Sequence, residues 1–182
     1  SIYSKNVCKS LIKAQKKMKY EDIKDSLSTI TDINGQMKKL RSLCELEDDD
    51  INEREKIREF IENVLKELYP ECTAHLFGSS VNGLGFKGSD VDLYVGSENI
   101  QDIDSNIQRQ LKMGRQLLEK LQNCQKSDMN ELHGVEGILS ATVPIIKFVH
   151  SKSGIECDLS FSNRRALINS RFIKMCLEID SR

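Results

Sequence analysis

Phe77-Gly78-Ser79-Ser80-Val81-Asn82-Gly83-Leu84-Gly85-Phe86-Lys87-Gly88-Ser89-Asp90-Val91-Asp92-Leu93-Tyr94-Val95 is the stretch on which the reading of this chain turns. It sets a bendable Gly-Ser turn eleven residues ahead of two aspartates separated by one residue. On a strand, residues i and i+2 point to the same face, about 7 Å apart at roughly 3.3 Å per residue. Two carboxylates held that way cannot both stay ionised cheaply unless a cation lies between them. Mg²⁺ is a hard cation, commonly held by one or two carboxylates together with substrate phosphates. Asp90 and Asp92 therefore read as metal ligands. A solvated turn can also carry Asp-x-Asp. The Gly-Ser turn before the pair and Leu93-Tyr94-Val95 after it select the metal reading.

Gly78 and Ser79 follow a predicted strand over 73–77. Glycine lets the backbone come close to a ligand, and the Gly78 N–H, the Ser79 N–H and the Ser79 hydroxyl together suit an anion-binding nest. A helix opening at Ser80 to Asn82 would add the dipole of its N-terminus. An ordinary strand-to-helix turn uses the same residues, and the neighbouring aspartates decide for phosphate. Phosphates beside paired acids mean a nucleoside triphosphate with Mg²⁺ or Mn²⁺.

A third acid, Asp158, lies in Ile155-Glu156-Cys157-Asp158-Leu159-Ser160-Phe161. Alternation puts Ile155, Cys157, Leu159 and Phe161 on an apolar face and Asp158 on the other, with Glu156 and Ser160. Three carboxylates converge if this strand pairs beside 91–95. The competing reading is a surface strand aspartate.

Around this block the chain reads as an α+β domain. Residues 1–45 are polar and helical, with Asn34-Gly35 as a turn. Lys5, Lys9, Lys13, Lys16 and Lys17 share one helical face, either solvated or tracking RNA phosphates. Glu45, Glu47, Asp48, Asp49 and Asp50 suit a helix N-terminus. The helix over 51–68 shows Ile51, Ile57, Phe60, Ile61, Val64, Leu65 and Leu68 on one face and ends at Pro70. A helix over about 104–122 presents Ile107, Leu111, Leu118 and Leu121. Residues 124–137 read as a mobile loop and Ile138 to His150 as β-rich around Pro144. Ser151-Lys152-Ser153-Gly154 is a hairpin turn, followed by a return strand. Residues 164–179 are helical, with Leu167, Phe172, Ile173 and Cys176 as the expected core face.

A chain of 182 residues suits one domain with part of a second, and is long enough to bury a core. Its 27 basic and 28 acidic residues nearly cancel, so any nucleic-acid contact must come from a local patch. Aromatics are few and Trp is absent, which argues against a base-stacking platform for single strands. The six cysteines form no CxxC pair and meet no zinc spacing, so they read as reduced intracellular thiols rather than a disulfide framework. No run of apolar residues is long enough for a membrane span, and no signal peptide is visible. The absence of an initial Met and an end inside a helix suggest a piece of a longer protein.

The Phe-Gly-Ser-Ser…Ser-Asp-Val-Asp-Leu block, then Val143-Pro144-Ile145-Ile146-Lys147-Phe148, Gly154-Ile155-Glu156-Cys157-Asp158, Asn163 and Asn169-Ser170-Arg171 together resemble the noncanonical poly(A) polymerase and terminal uridylyltransferase family. The resemblance runs from about residue 45 to the end. Its first block is common to the wider DNA polymerase β-like nucleotidyltransferase superfamily, and the later pieces narrow it. It implies a nucleotidyltransferase palm, a mixed sheet flanked by helices, over 46–162. Residues 1–45 and 163–182 would belong to a helical central domain, most of which, with its base-selecting region, is not in this chain.

By position, the resemblance implies two-metal phosphoryl transfer, with Asp90, Asp92 and Asp158 as ligands of two Mg²⁺ or Mn²⁺ ions. Gly78 and Ser79 would hold the β- and γ-phosphates. Asn169 would touch the ribose 2′-hydroxyl and Asn163 the base or primer end, with helix capping as the alternative for both. The implied activity is template-independent addition of uridylate to single-stranded RNA 3′ ends, with pyrophosphate released. Alternatives are adenylyl transfer from ATP, an oligonucleotide or cyclic-dinucleotide synthase, and an inactive scaffold. The expected setting is intracellular and cytoplasmic, with mitochondrion and nucleus as alternatives, and no membrane partner.

Overall fold

The computed structural model describes residues 20–96, 106–126, 131–161 and 164–179. Among them, five strands form one sheet: β1 (Thr73–Phe77), β2 (Val91–Gly96), β3 (Leu132–Ile138), β4 (Ile145–His150) and β5 (Glu156–Ser160). The order across the sheet is β1-β2-β5-β4-β3. β2 and β5 run parallel and the other pairs are antiparallel. Six helices accompany it: α1 (Tyr20–Ser28), α2 (Ile33–Cys44), α3 (Asp48–Leu68), α4 (Ser79–Asn82), α5 (Ile107–Lys126) and α6 (Arg164–Ile179). The α+β architecture with a mixed sheet is the one expected.

Strand alternation gives the sheet two unlike faces. Val91, Leu93 and Val95 of β2, Cys157 and Leu159 of β5, and Ile146 and Phe148 of β4 point to one side and are buried. Ile57, Ile61, Val64 and Leu65 of α3 and Met113, Leu117 and Leu121 of α5 join them in one apolar core. Burying each such side chain contributes about 1.5–3 kcal/mol, so this layer holds the sheet in place. α3 starts where its charges predict. Asp48, Asp49 and Asp50 occupy its first turn, and the Asp50 carboxylate accepts the Glu47 N–H at 3.0 Å.

Several expectations are corrected. Asn34-Gly35 is not a turn. Asp32 caps α2 by accepting the Gly35 N–H at 2.7 Å, so both residues lie in its first turn. On α5 the buried face is Gln110, Met113, Gly114, Leu117 and Leu121, while Ile107 is exposed. Residues 124–137 are not one loop: α5 runs to Lys126 and β3 begins at Leu132. β3 hides from pattern reading because it is an edge strand interrupted by a bulge between His133 and Glu136. It forms a hairpin with β4, so the stretch from Ile138 to His150 is not one continuous strand. On α6, Phe172, Ile173 and Cys176 are exposed, and Ser170 is the buried residue. The lysine face at Lys5 to Lys17 lies outside the described residues.

Among the described residues, Cys44, Cys72, Cys124, Cys157 and Cys176 are in no disulfide. Among the described residues no helix is long and apolar enough to cross a membrane.

Candidate active site

The carboxylates gather on the sheet face opposite the core. In the parallel pairing of β2 with β5, Asp92 stands directly beside Asp158, so both project to the same side. In the antiparallel pairing of β4 with β5, Lys147 stands beside Asp158 on that side too. Asp90 is exposed and immediately precedes β2. Two neighbouring strands thus bring Asp92 and Asp158 side by side, and Asp90 lies in the turn leading into β2.

That turn is anchored from within. Arg54, on the core side of α3, is 2% exposed. Its Nη2 donates to the Ser89 carbonyl at 2.9 Å and to Ser89 Oγ at 3.1 Å. Burial pulls the guanidinium below its ordinary pKa, and Asp50, Cys157 and Asp90 offset this. A charge this deep persists because it is bonded. It sets the residue next to Asp90.

Asp92 is half-buried, and its pKa is pushed up from 3.8 to about 6. Burial is the first cause, followed by the charges of Asp90 and Asp158, with Lys147 opposing. Gly78 makes room for this side chain. It directly follows β1 with φ +65°, and a Cβ there would collide with Asp92 Oδ2. Glycine is required both for the backbone angle and for the carboxylate.

The Gly78 N–H does not join an open anion nest as expected. It donates to Ser170 Oγ at 2.8 Å, and Ser170 in turn donates to the Ala166 carbonyl at 2.7 Å. Ser79 opens the single helical turn of α4, and Gly78 O accepts from the Asn82 N–H at 3.2 Å. Ser80, one residue on, is buried, and its hydroxyl has no hydrogen-bond partner. Asn169 is exposed in the middle of α6, not at a cap, and is the neighbour of Ser170. Asn163 lies outside the described residues.

A hard divalent cation fits part of this acid set. The oxygens of Asp92, Asp90 and Asp158 are hard donors, and the raised Asp92 pKa marks negative charge still to be compensated. Among the described residues, however, no group of three His, Cys, Asp or Glu is assembled to hold an ion together. At Asp158, Lys147 Nζ donates to Oδ1 at 2.8 Å and to Oδ2 at 2.6 Å. This pair raises the Lys147 pKa. A site built on one or two carboxylates plus substrate phosphates remains consistent with the geometry.

Three residues here escaped the sequence reading. Lys147 had a signal, since it alternates with buried Ile146 and Phe148 and must therefore face the acids. Arg54 had one as well, lying three residues before Ile57 on the apolar stripe of α3. A serine inside a helix carries no mark of its partner, and Ser170 had none.

The family model for the central palm domain of mitochondrial-like poly(A) RNA polymerase matches residues 33–178. The chain belongs to that family. Among curated relatives it is 26% identical over 98% of its length to the zebrafish (Danio rerio) speckle targeted PIP5K1A-regulated poly(A) polymerase. It is 36% identical over 71% of its length to human (Homo sapiens) terminal uridylyltransferase 7. It spans 25% of the first relative and 8% of the second. A crystal structure of mtPAP in apo form superposes with a TM-score of 0.80 at 24% identity, over 92% of this chain and 38% of that one. The structure of a cytoplasmic RNA terminal U-transferase gives 0.60 at 24%, over 79% of this chain and 39% of that one. These likenesses establish the palm fold.

Proposed function

We infer that the protein carrying this chain transfers nucleotidyl groups to RNA 3′ ends without a template, and that uridylate is its nucleotide. The observation that carries this reading is the register placing Asp92 beside Asp158 on one face, with Asp90 leading in and Gly78 giving way to the Asp92 carboxylate. Asp90, Asp92 and Asp158 would hold Mg²⁺ or Mn²⁺, which supplies charge stabilisation at the transferred phosphoryl group and a more acidic 3′-hydroxyl. Asp158 would help take the hydroxyl proton, a role assigned by resemblance. Ser79 and the α4 turn hold the β- and γ-phosphates. Asn169 is assigned to the ribose 2′-hydroxyl by resemblance; its neighbour Ser170 accepts the Gly78 N–H, which brings α6 to the phosphate turn. Asn163 is assigned to the base or primer end by resemblance.

Uridylate is supported by the 36% identity to a terminal uridylyltransferase. The second reading, adenylyl transfer, is favoured by the family description and by the zebrafish poly(A) polymerase. The assay is Mg²⁺, labelled oligo-RNA and each nucleoside triphosphate separately. Extension with UTP supports the proposal, and extension with ATP alone replaces uridylate by adenylate. Product formed without RNA points to a small-molecule synthase, and no extension at all overturns the reading. The proposed compartment is intracellular, and fractionation of cells expressing the tagged protein tests it.

A further inference from the structure

Lys147 does more than border the acids. Its ammonium spans both oxygens of Asp158, at 2.8 and 2.6 Å, across neighbouring strands. With the ammonium across both oxygens, an ion that takes the same lone pairs must loosen at least one of those bonds. The side chain that does the bridging is 45% exposed, and that of Asp158 is 26% exposed. With nearly half of its surface in water, the Lys147 side chain has room to move off the carboxylate. Meanwhile Asp92 and Asp90 remain beside the pair, and no three-acid set is assembled among the described residues. One positive charge thus neutralises one of the three acids.

We propose that Lys147 is the resident counter-cation of Asp158, and that a divalent ion and the Lys147 ammonium exchange on the same two carboxylate oxygens. This rests on the metal reading of the three aspartates. Asp92 and Asp90 then form the standing part of the cation site. Asp158 joins when an ion, helped by the charge of a triphosphate, displaces the ammonium. Lys147 is a positioning residue: it holds the Asp158 rotamer, limits repulsion among the acids and sets the divalent concentration at which the trio closes.

Both effects of removing the ammonium act in one direction. The competitor disappears and the anionic face becomes more negative, so divalent binding tightens. Exposed and cross-strand ion pairs have modest strength, which limits the gain to about three- to fivefold. The test titrates the full protein with Mn²⁺ alone and reads free ion by electron paramagnetic resonance. Lys147→Met should lower the Mn²⁺ dissociation constant by about three- to fivefold. Lys147→Arg, which keeps the charge and grips a carboxylate with a planar fork, should bind no more tightly than wild type. In an Asp158→Asn background the gain from Lys147→Met should shrink to the part due to the lost positive charge alone, because the shared oxygens are no longer contested. Thermal denaturation is the second readout: saturating Mn²⁺ should raise the Tm of Lys147→Met by more than that of wild type.

Unchanged or weaker binding by Lys147→Met, with wild type binding normally, overturns the exchange and leaves the metal site standing. Wild type that binds no Mn²⁺, or whose binding survives Asp92→Asn, overturns the metal reading itself.

Discussion

The two faces of the one sheet obey opposite rules. On the core face, Val91, Leu93, Val95, Leu159 and Ile146 meet α3 and α5, and every neighbour satisfies the next. On the other face, the same strands at alternate positions carry Asp92, Asp158 and Lys147, where like charges crowd and one carboxylate is held near pH 6. The difference is that stability accumulates on one side and is partly given up on the other. A sheet so firmly held from behind tolerates repulsion in front, which a proton or a cation relieves.

The most severe way to break this contrast is Asp92→Asn. Nucleotidyl transfer should fall by at least about 10³-fold, measured as RNA extension under single-turnover conditions. A fall below tenfold would place the essential acid elsewhere. On the opposite face, Leu93→Ala removes a fully buried side chain and should cost about 3 kcal/mol in denaturant unfolding. The activity of the molecules that remain folded should be preserved.

Asp92→Asn also sharpens the comparison in the other direction, because it should make the protein more stable. The folded pKa of Asp92 lies above the ordinary 3.8, so the folded chain keeps a proton that the unfolded chain releases. The stability tied to that proton is present below about pH 4 and is lost as pH rises to about 6. Without divalent ions, the variant's advantage should therefore be absent near pH 4, grow to on the order of 2 kcal/mol by pH 6 and stay level above it. Equal stabilities across that range would mean the charge is already compensated.

Gly78→Ala comes next. The new Cβ strains a left-handed backbone and strikes the Asp92 carboxylate, so about 1–2 kcal/mol should be lost together with activity. The smallest expected effect is Ser170→Ala. The Gly78 N–H loses its acceptor, at about 1 kcal/mol, and KM for the nucleotide should rise more than kcat falls. An unchanged KM would separate α6 from the phosphate turn.

Much of the fold was legible because it depends on local spacing. The helix over 51–68, the strand pattern of 91–95 and the hairpin at Ser151 to Gly154 follow from period and turn chemistry. The misreadings came where the period is weak or the partner is distant. β3 is a bulged edge strand with Gly134 and Gly137, so its alternation is broken. α6 presents Phe172 and Ile173 outward although both are apolar, and Ser170 is its buried residue. Lys147 was readable as facing the acids, but its double bond to Asp158 was not.

Residue order alone placed a glycine, a serine and three aspartates at the ends and alternate positions of strands, because side-chain direction along a strand depends only on counting by two. That β5 rather than β1 supplies the second acid beside Asp92, that Ser170 takes the Gly78 N–H, and that Lys147 covers both Asp158 oxygens were settled by folding. Those facts depend on which strand lies next to which, and strand neighbours are chosen by the packing of the whole core rather than by any local stretch of chain.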